Sequence, residues 1–296
     1  MPELQLLPAQ PGVFFREEDH KYFYRAQAGP IEVPSSSHII ALGGGKDFDK
    51  RPWKRSLAKK GLSDMGAEYY MERVRDIRAD IGTKVHALIA NDLGLPCEHS
   101  LRWGSVSEEA YSIHEQWLEH VYPRIGKVYV IEQQMIHPGG LYGFTPDLVA
   151  EVDGILSLCD WKSNQAESYK ERYGYLASYD PGDETMQAIC LHLAKVDAEA
   201  GKVRDITARV RPGWQMQQGS YGFGVAAVHG LSVERGINVM LSVDGVKEHV
   251  WNLPDLSQGW MQFAGGLLLH HQRAVMSGGH PIFRAGLDAL YPLLAR

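Results

Sequence analysis

An aspartate and a lysine stand two residues apart in Asp160-Trp161-Lys162, at the end of the apolar run Ile155 to Trp161, and Pro146-Asp147 lies a short way upstream. Strand residues alternate between faces, so Asp160 and Lys162 project to the same side. Between the two acids, Asp153-Gly154 is a tight-turn signal. It folds Leu148 to Val152 back on Ile155 to Trp161 and carries Asp147 toward Asp160. Two carboxylates brought to one place repel unless a cation or a shared proton relieves them. A hard divalent ion, Mg²⁺ or Mn²⁺, does so with oxygen ligands and retains water that can attack a phosphodiester. Lys162 would orient that water or stabilise charge in the transition state.

Two further residues join this constellation. Glu132 lies in phase with Val128, Val130 and Gln134 on a strand expected over Lys127 to Ile136. There a half-buried carboxylate needs a partner, such as the same ion. Gln187 lies on a helix expected over Met186 to Ala198, from which it could orient the water or a phosphate.

The elements that must position these groups are legible in the periodicity. Val13 to Phe15 and Lys21 to Tyr24 read as a hairpin, with Ile31 to Val33 as an added strand. Pro34 to Ser37 turns into a helix through Ile39 and Ile40, which Gly43-Gly44-Gly45 is expected to end. Met65 to Asn91 has helical spacing, with Ile81, Val85, Leu88 and Ile89 on one stripe and His86 at its edge. A second helix is expected over Val106 to Tyr122, with Ser105 and Glu108 as a capping box and Pro123 as the stop. The stretch Arg204 to Gly236, rich in Gly and Gln, reads as an accessory loop. Ile237 to Val243 and Val246 to Trp251 read as a hairpin around Asp244-Gly245, and a helix over Ser257 to Met276 closes the chain.

At 296 residues, with 44% hydrophobic and 22% charged residues, the chain has the composition of a packed globular protein rather than a disordered one. No apolar run reaches the roughly 20 residues that span a bilayer, and no basic-then-apolar leader opens the sequence. The expectation is a cytoplasmic protein without a membrane partner. Three cysteines, Cys97, Cys159 and Cys190, lack metal-site spacing and suit a reducing compartment. The net charge of −6 offers no global attraction for a polyanion. Nucleic acid would therefore need a local basic footprint, and Lys46 to Lys60 offers one, with Lys50, Arg51, Lys54 and Arg55 around Trp53, followed by Lys84. His114-Glu115 with His120 lacks zinc-protease spacing, and neither a Walker loop, a dinucleotide glycine fingerprint nor a Gly-x-Ser-x-Gly elbow is present.

Four segments together resemble the RecB-like branch of the PD-(D/E)XK nucleases, and most closely the group containing the mitochondrial genome maintenance exonuclease and related phage and bacterial enzymes. Val33-Pro34-Ser35-Ser36-Ser37-His38-Ile39-Ile40 resembles that group's first motif, and Gly82-Thr83-Lys84-Val85-His86 its helical Gly-Thr-x-x-His. Gly143-Phe144-Thr145-Pro146-Asp147 resembles its Gly-x-x-x-Asp, and Asp160-Trp161-Lys162-Ser163 its Asp-x-Lys-Thr/Ser. The resemblance implies that His86, Asp147, Asp160 and the carbonyl of Trp161 bind the metal, with Lys162 catalytic and Glu132 the upstream acid. It also assigns Gln187 to a helical Gln-x-x-x-Tyr motif, although Leu191 stands where the tyrosine belongs, and the iron–sulfur cysteines of some relatives are absent.

The combined expectation is an α/β fold, a central mixed β-sheet flanked by helices with an N-terminal helical region, forming one nuclease domain over 1–296. Residues 1–105 would supply the hairpin and helical wall, 106–200 the catalytic core, and 201–296 the accessory loop, hairpin and C-terminal helix. The expected activity is metal-dependent hydrolysis of DNA, at single strands or ends, in recombination, repair or phage genome processing. Two alternatives remain at this stage: a catalytically inactive DNA- or partner-binding module on the same fold, and a restriction-type endonuclease.

Overall fold

The period-two stretches from Lys127 onward supply most of the strands of one large sheet in the computed structural model, which describes residues 2–16, 18–19, 21–26, 29–45, 50–95, 106–138, 140–200 and 211–276. Its strands are β1 (Glu3–Leu4), β5 (Ile125–Ile131), β8 (Leu148–Val152), β9 (Ile155–Ser163), β10 (Arg235–Ser242) and β11 (Gly245–Asn252), in the order β1-β5-β8-β9-β10-β11. Pairing is mixed: β1 is parallel to β5 and β9 to β10, while β5–β8, β8–β9 and β10–β11 are antiparallel. The smaller sheets are β2 (Val13–Arg16), β3 (Lys21–Ala26) and β4 (Gly29–Val33) in one, and β6 (Met135–Ile136) with β7 (Gly143–Phe144) in the other.

Helices cover both faces of the large sheet. On one side lie α3 (Asp64–Asp92), α4 (Glu108–His120), α5 (Tyr169–Ser178) and α6 (Glu184–Glu199). Ile81, Val85, Trp117 and Leu193 there bury against Leu148, Cys159 and Trp161. On the other lie α1 (Ser36–Ile40), α7 (Pro212–His229) and α8 (Leu253–Met276), with Ile39, Val225 and Phe263 against Val130, Val149 and Leu158. Neighbouring residues of β8 and β9 thus feed opposite cores, as strand geometry requires of a sheet buried on both faces. The helix starts are capped by short polar side chains, Ser63 for α3, Ser107 for α4, Ser168 for α5 and Asp183 for α6, each accepting from a first-turn N–H.

Several expectations need correction. The cap of α4 is Ser107, whereas Ser105 lies outside the described residues. The glycines at 43–45 do not end the helix but continue it as a π-helical turn, Ala41–Gly45. The basic segment is itself a helix, α2 (Lys50–Lys59), and Lys46 lies outside the described residues. The strand expected to run through Ile136 stops at Ile131, and β6 belongs to a different sheet. Most of the stretch read as an accessory loop is the helix α7, residues 201–210 lying outside the described part. Its glycines concealed it, because they lower helix propensity. They serve close packing instead: a Cβ on Gly219 would come within 2.3 Å of the Trp260 nitrogen, and one on Gly259 within 2.1 Å of the Gln215 carbonyl. Two helix backbones can cross this tightly only where both surfaces lack side chains. Among the described residues, no helix is long and apolar enough to cross a membrane.

The crossing predicts a sharp contrast between glycines. Gly219→Ala is expected to destabilise the fold by at least the about 1–3 kcal/mol typical of overpacking. Gly174→Ala, in α5 where an added Cβ meets nothing within 4 Å, should be neutral or stabilise by up to about 1 kcal/mol. Thermal midpoints of the two variants check this, and equal midpoints would contradict the packing at the crossing.

Candidate metal centre

The turn Asp153-Gly154 has φ of 52° and 77°, the left-handed pair that suits a tight hairpin. It sets β8 and β9 in a register that pairs Leu148 with Cys159 and Val152 with Ile155. Asp147, just before β8, then lies beside the end of β9, where the Trp161 N–H donates to its Oδ2 at 2.6 Å. The carboxylate is thereby anchored by a backbone that cannot rotate. Its other oxygen, Oδ1, lies 3.8 Å from Nδ1 of His86.

His86 reaches this point from α3. One turn earlier, Gly82 lets the helix pass the end of β9, since a Cβ there would stand 3.3 Å from Ser163 Oγ. Glu132 arrives by a different device. Bulges interrupt the β5–β8 ladder before it, and Glu132 itself adopts φ of 44°, a strained conformation for a residue with a Cβ. The kink ends β5 and brings Glu132 Oε1 to 3.0 Å from His86 Nδ1, while the Glu132 N–H donates to the Asp147 carbonyl at 3.1 Å. His86, Glu132 and Asp147 each place a ligand atom within 4.8 Å of the others.

Two carboxylates at that spacing repel by about 3.5 kcal/mol at an effective dielectric near 20, less where solvent enters. The electrostatics record the strain. Burial, with the charges of Asp160 and Glu132, pushes the Asp147 carboxyl well above its ordinary range, although His86 acts against the shift. Burial opposes the His86 imidazolium, but Asp147 and Glu132 outweigh it and raise this group to about 9. Without a cation the site therefore holds protons. One imidazole nitrogen and two carboxylates are a donor set that fits a divalent ion in their place.

Asp160 is held by a separate set of partners. Its oxygens are taken up by nitrogen donors: Lys162 Nζ at 2.8 Å from Oδ1 and 2.6 Å from Oδ2, Gln217 Nε2 at 2.9 Å from Oδ1, and Asn238 Nδ2 at 2.6 Å from Oδ2. It is not one of the three clustered ligand groups. Burial disfavours the Lys162 ammonium, yet Asp160 and Asp147 hold its pKa above the ordinary lysine value. The Trp161 ring packs away from the site against Trp117.

Gln187 does not reach these residues. Its amide donates to the Pro181 carbonyl at 2.8 Å, and Leu191, one turn on, is exposed. Gln217 on α7 stands at the site instead, with Tyr221 one turn later accepting from Gln217 Nε2 at 3.2 Å. Gln217-x-x-x-Tyr221 was the available signal in the sequence. The glycines around it, which read as a loop, conceal it.

The basic helix α2 stands apart from the centre. Trp53 is half-buried and meets the edge of Tyr70, which precedes His86 by about 24 Å along the axis of α3. Lys54 lies 3.6 Å from both Asp64 and Glu68, while Lys50, Arg51 and Arg55 are exposed. Lys84 is closer to the centre, but its side chain is mostly buried with Asp80 at 3.9 Å. Beside the centre, an open groove of about 660 Å³ runs between Phe15 and Tyr22 of the hairpin and Gly82, Thr83 and His86 of α3, with Glu132 in its wall.

No protein-family model matches this chain, and no curated protein sequence does so.

Because the His86–Asp147 pair, with Glu132 beside it, retains a proton without a cation, Mn²⁺ binding is expected to release protons and to tighten as pH rises toward about 9. Calorimetry in buffers of different ionisation enthalpy measures the release directly. Affinity that is flat with pH, or proton uptake, would contradict this electrostatic account.

Proposed function

We propose that this chain is a metal-dependent deoxyribonuclease of the PD-(D/E)XK type, resembling the RecB-like branch, that hydrolyses single-stranded DNA or DNA ends. The observation that carries the reading is the convergence of distant segments on one sheet end. His86, Glu132, Asp147, Asp160, Lys162 and Gln217 come from five secondary-structure contexts and meet around β8 and β9. The order α3, β5, β8, β9, α6, β10 also supplies a helix, three antiparallel strands, a helix and a parallel strand around them. Gln217 and Tyr221 fill the helical motif for which Gln187 and Leu191 were poor candidates.

In this reading His86, Glu132 and Asp147 hold the ion, with Asp160 and the Trp161 carbonyl as the further ligands that the resemblance implies. A divalent ion there supplies positive charge against the phosphate and lowers the pKa of water. The imidazole in the donor set favours Mn²⁺ over Mg²⁺, which prefers oxygen alone. Lys162, kept protonated by its acidic neighbours, donates to charge developing on the phosphate oxygens. Gln217 bridges Asp160 and Lys162, accepting from Lys162 Nζ at 3.4 Å, and so steadies the ammonium. The groove past Phe15 and Tyr22 gives a polynucleotide strand a path to the centre, with the partly exposed ring of Phe15 as a surface against which a base could pack. The exposed cations of α2 would engage phosphates farther along the strand.

The test is degradation of end-labelled single-stranded, duplex and circular single-stranded DNA with Mn²⁺, Mg²⁺ or EDTA. Metal-dependent cleavage is expected, lowered about 10²–10³-fold by Lys162→Ala and about 10–100-fold by Gln217→Ala, and left unchanged by Gln187→Ala. Resistance of circular DNA would identify an end-dependent exonuclease. Tight DNA binding with no cleavage under either metal would overturn the catalytic reading and favour a binding module.

A further inference from the structure

Asp160 is almost wholly buried, and a buried carboxylate needs its lone pairs filled. Lys162 and Gln217 account for one side of it. The other partner is Asn238, fully buried on β10 and directly opposite Asp160 in the parallel register. Asn238 Nδ2 donates to Asp160 Oδ2 at 2.6 Å, and Asn238 Oδ1 accepts from Trp251 Nε1 at 2.6 Å. Trp251 sits on β11 opposite Gly236, one strand farther from the centre.

The chemistry at the two ends leaves one orientation for the amide. An indole nitrogen only donates, and an ionised carboxylate only accepts. A residue between them must accept on one side and donate on the other, which a carboxamide does and neither an aliphatic nor a carboxylate side chain can. Trp251 thus prevents Asn238 from flipping, and Asn238 prevents Asp160 from rotating. Rotation matters because Lys162 Nζ is within 2.8 Å of both Asp160 oxygens, so the ammonium follows the carboxylate. A buried asparagine that merely completed the core would bond to nearby backbone; here the side chain bridges an edge strand to the reactive lysine's counter-ion.

We propose that Asn238 is a positioning residue that fixes Asp160, and through it Lys162, and that Trp251 locks the orientation of Asn238. This inference rests on the nuclease reading above. The relay reaches the centre from the face opposite α3, so it acts without touching His86, Glu132 or substrate.

The experiment uses the full chain with Asn238→Leu, the near-isosteric Asn238→Asp, Trp251→Phe and the double variant Asn238→Leu with Trp251→Phe. Each is assayed for kcat and KM on labelled DNA, Mn²⁺ affinity by calorimetry, and thermal midpoint. The expected result is a fall in kcat and in Mn²⁺ affinity of about 10–100-fold for both Asn238 variants, the usual range for groups that orient a metal site, with KM little changed. Trp251→Phe, which keeps the aromatic bulk, should show a smaller fall in kcat and add nothing in the Asn238→Leu background, as members of one network behave. Wild-type kcat and Mn²⁺ affinity in folded Asn238→Asp and Trp251→Phe would overturn the relay, as would fully additive losses. A wild-type chain that binds no Mn²⁺ and cleaves no nucleic acid fails earlier, at the nuclease reading itself. The two failures are therefore distinct.

Discussion

Crowding of negative charge at one end of a buried sheet is the constraint to which the surrounding structure responds. The charges of Asp160 and Glu132 both bear on Asp147, and Asp147 and Asp160 are almost completely enclosed. Each is met by a different device. Asp147 receives a backbone N–H, Asp160 receives side-chain amides and an ammonium, and Glu132 pairs with an imidazole across the mouth of a groove. Asp160 is compensated from within the fold. The trio of His86, Glu132 and Asp147 holds its balance only with protons or a cation, and that asymmetry is the physical basis for proposing a metal on this side.

The scaffold's unusual features concentrate around the same point. A strained left-handed Glu132, a bulged β5, a glycine on α3 and the glycine-lined face of α7 all lie on or next to elements that bear the site's residues. None improves regular secondary structure. Each instead permits an approach or an orientation that regular geometry would deny, the pattern expected where strain is retained at a functional site. The smaller hairpin sheet adds the aromatic side of the groove, with Tyr22 tied by its hydroxyl to Thr145 at 2.7 Å.

Much of this was legible from residue order. The β8–β9 hairpin follows from Asp153-Gly154 and alternation, α3 from its apolar stripe, and the convergence of Asp147 with the Asp160-Trp161-Lys162 strand from both together. What escaped did so for identifiable reasons. Period two continues in sequence past Ile131, but a single left-handed residue at Glu132 ends the strand, and a glutamate carries no sequence mark of positive φ. The glycines of α7 resemble loop residues until the opposing glycines of α8 show that they serve packing. With α7 hidden, Gln217 and Tyr221 were hidden too, and Gln187 took their place. Charge counting cannot place the basic helix, because linear proximity to His86 does not fix spatial proximity, and Lys54 turns out to lie beside Asp64 and Glu68. Asn238 was beyond reach for a different reason: its significance depends on the parallel register of β9 and β10, which no local pattern encodes.

The most direct measurement of the central claim is a crystal structure of the protein grown with Mn²⁺, with anomalous scattering used to locate the ion. The account predicts a peak bound by His86, Glu132 and Asp147 with Asp160 and the Trp161 carbonyl alongside, and Lys162 still within hydrogen-bonding distance of Asp160. An occupied Mn²⁺ site elsewhere on the protein, with these three side chains left as a hydrogen-bonded cluster, would contradict it.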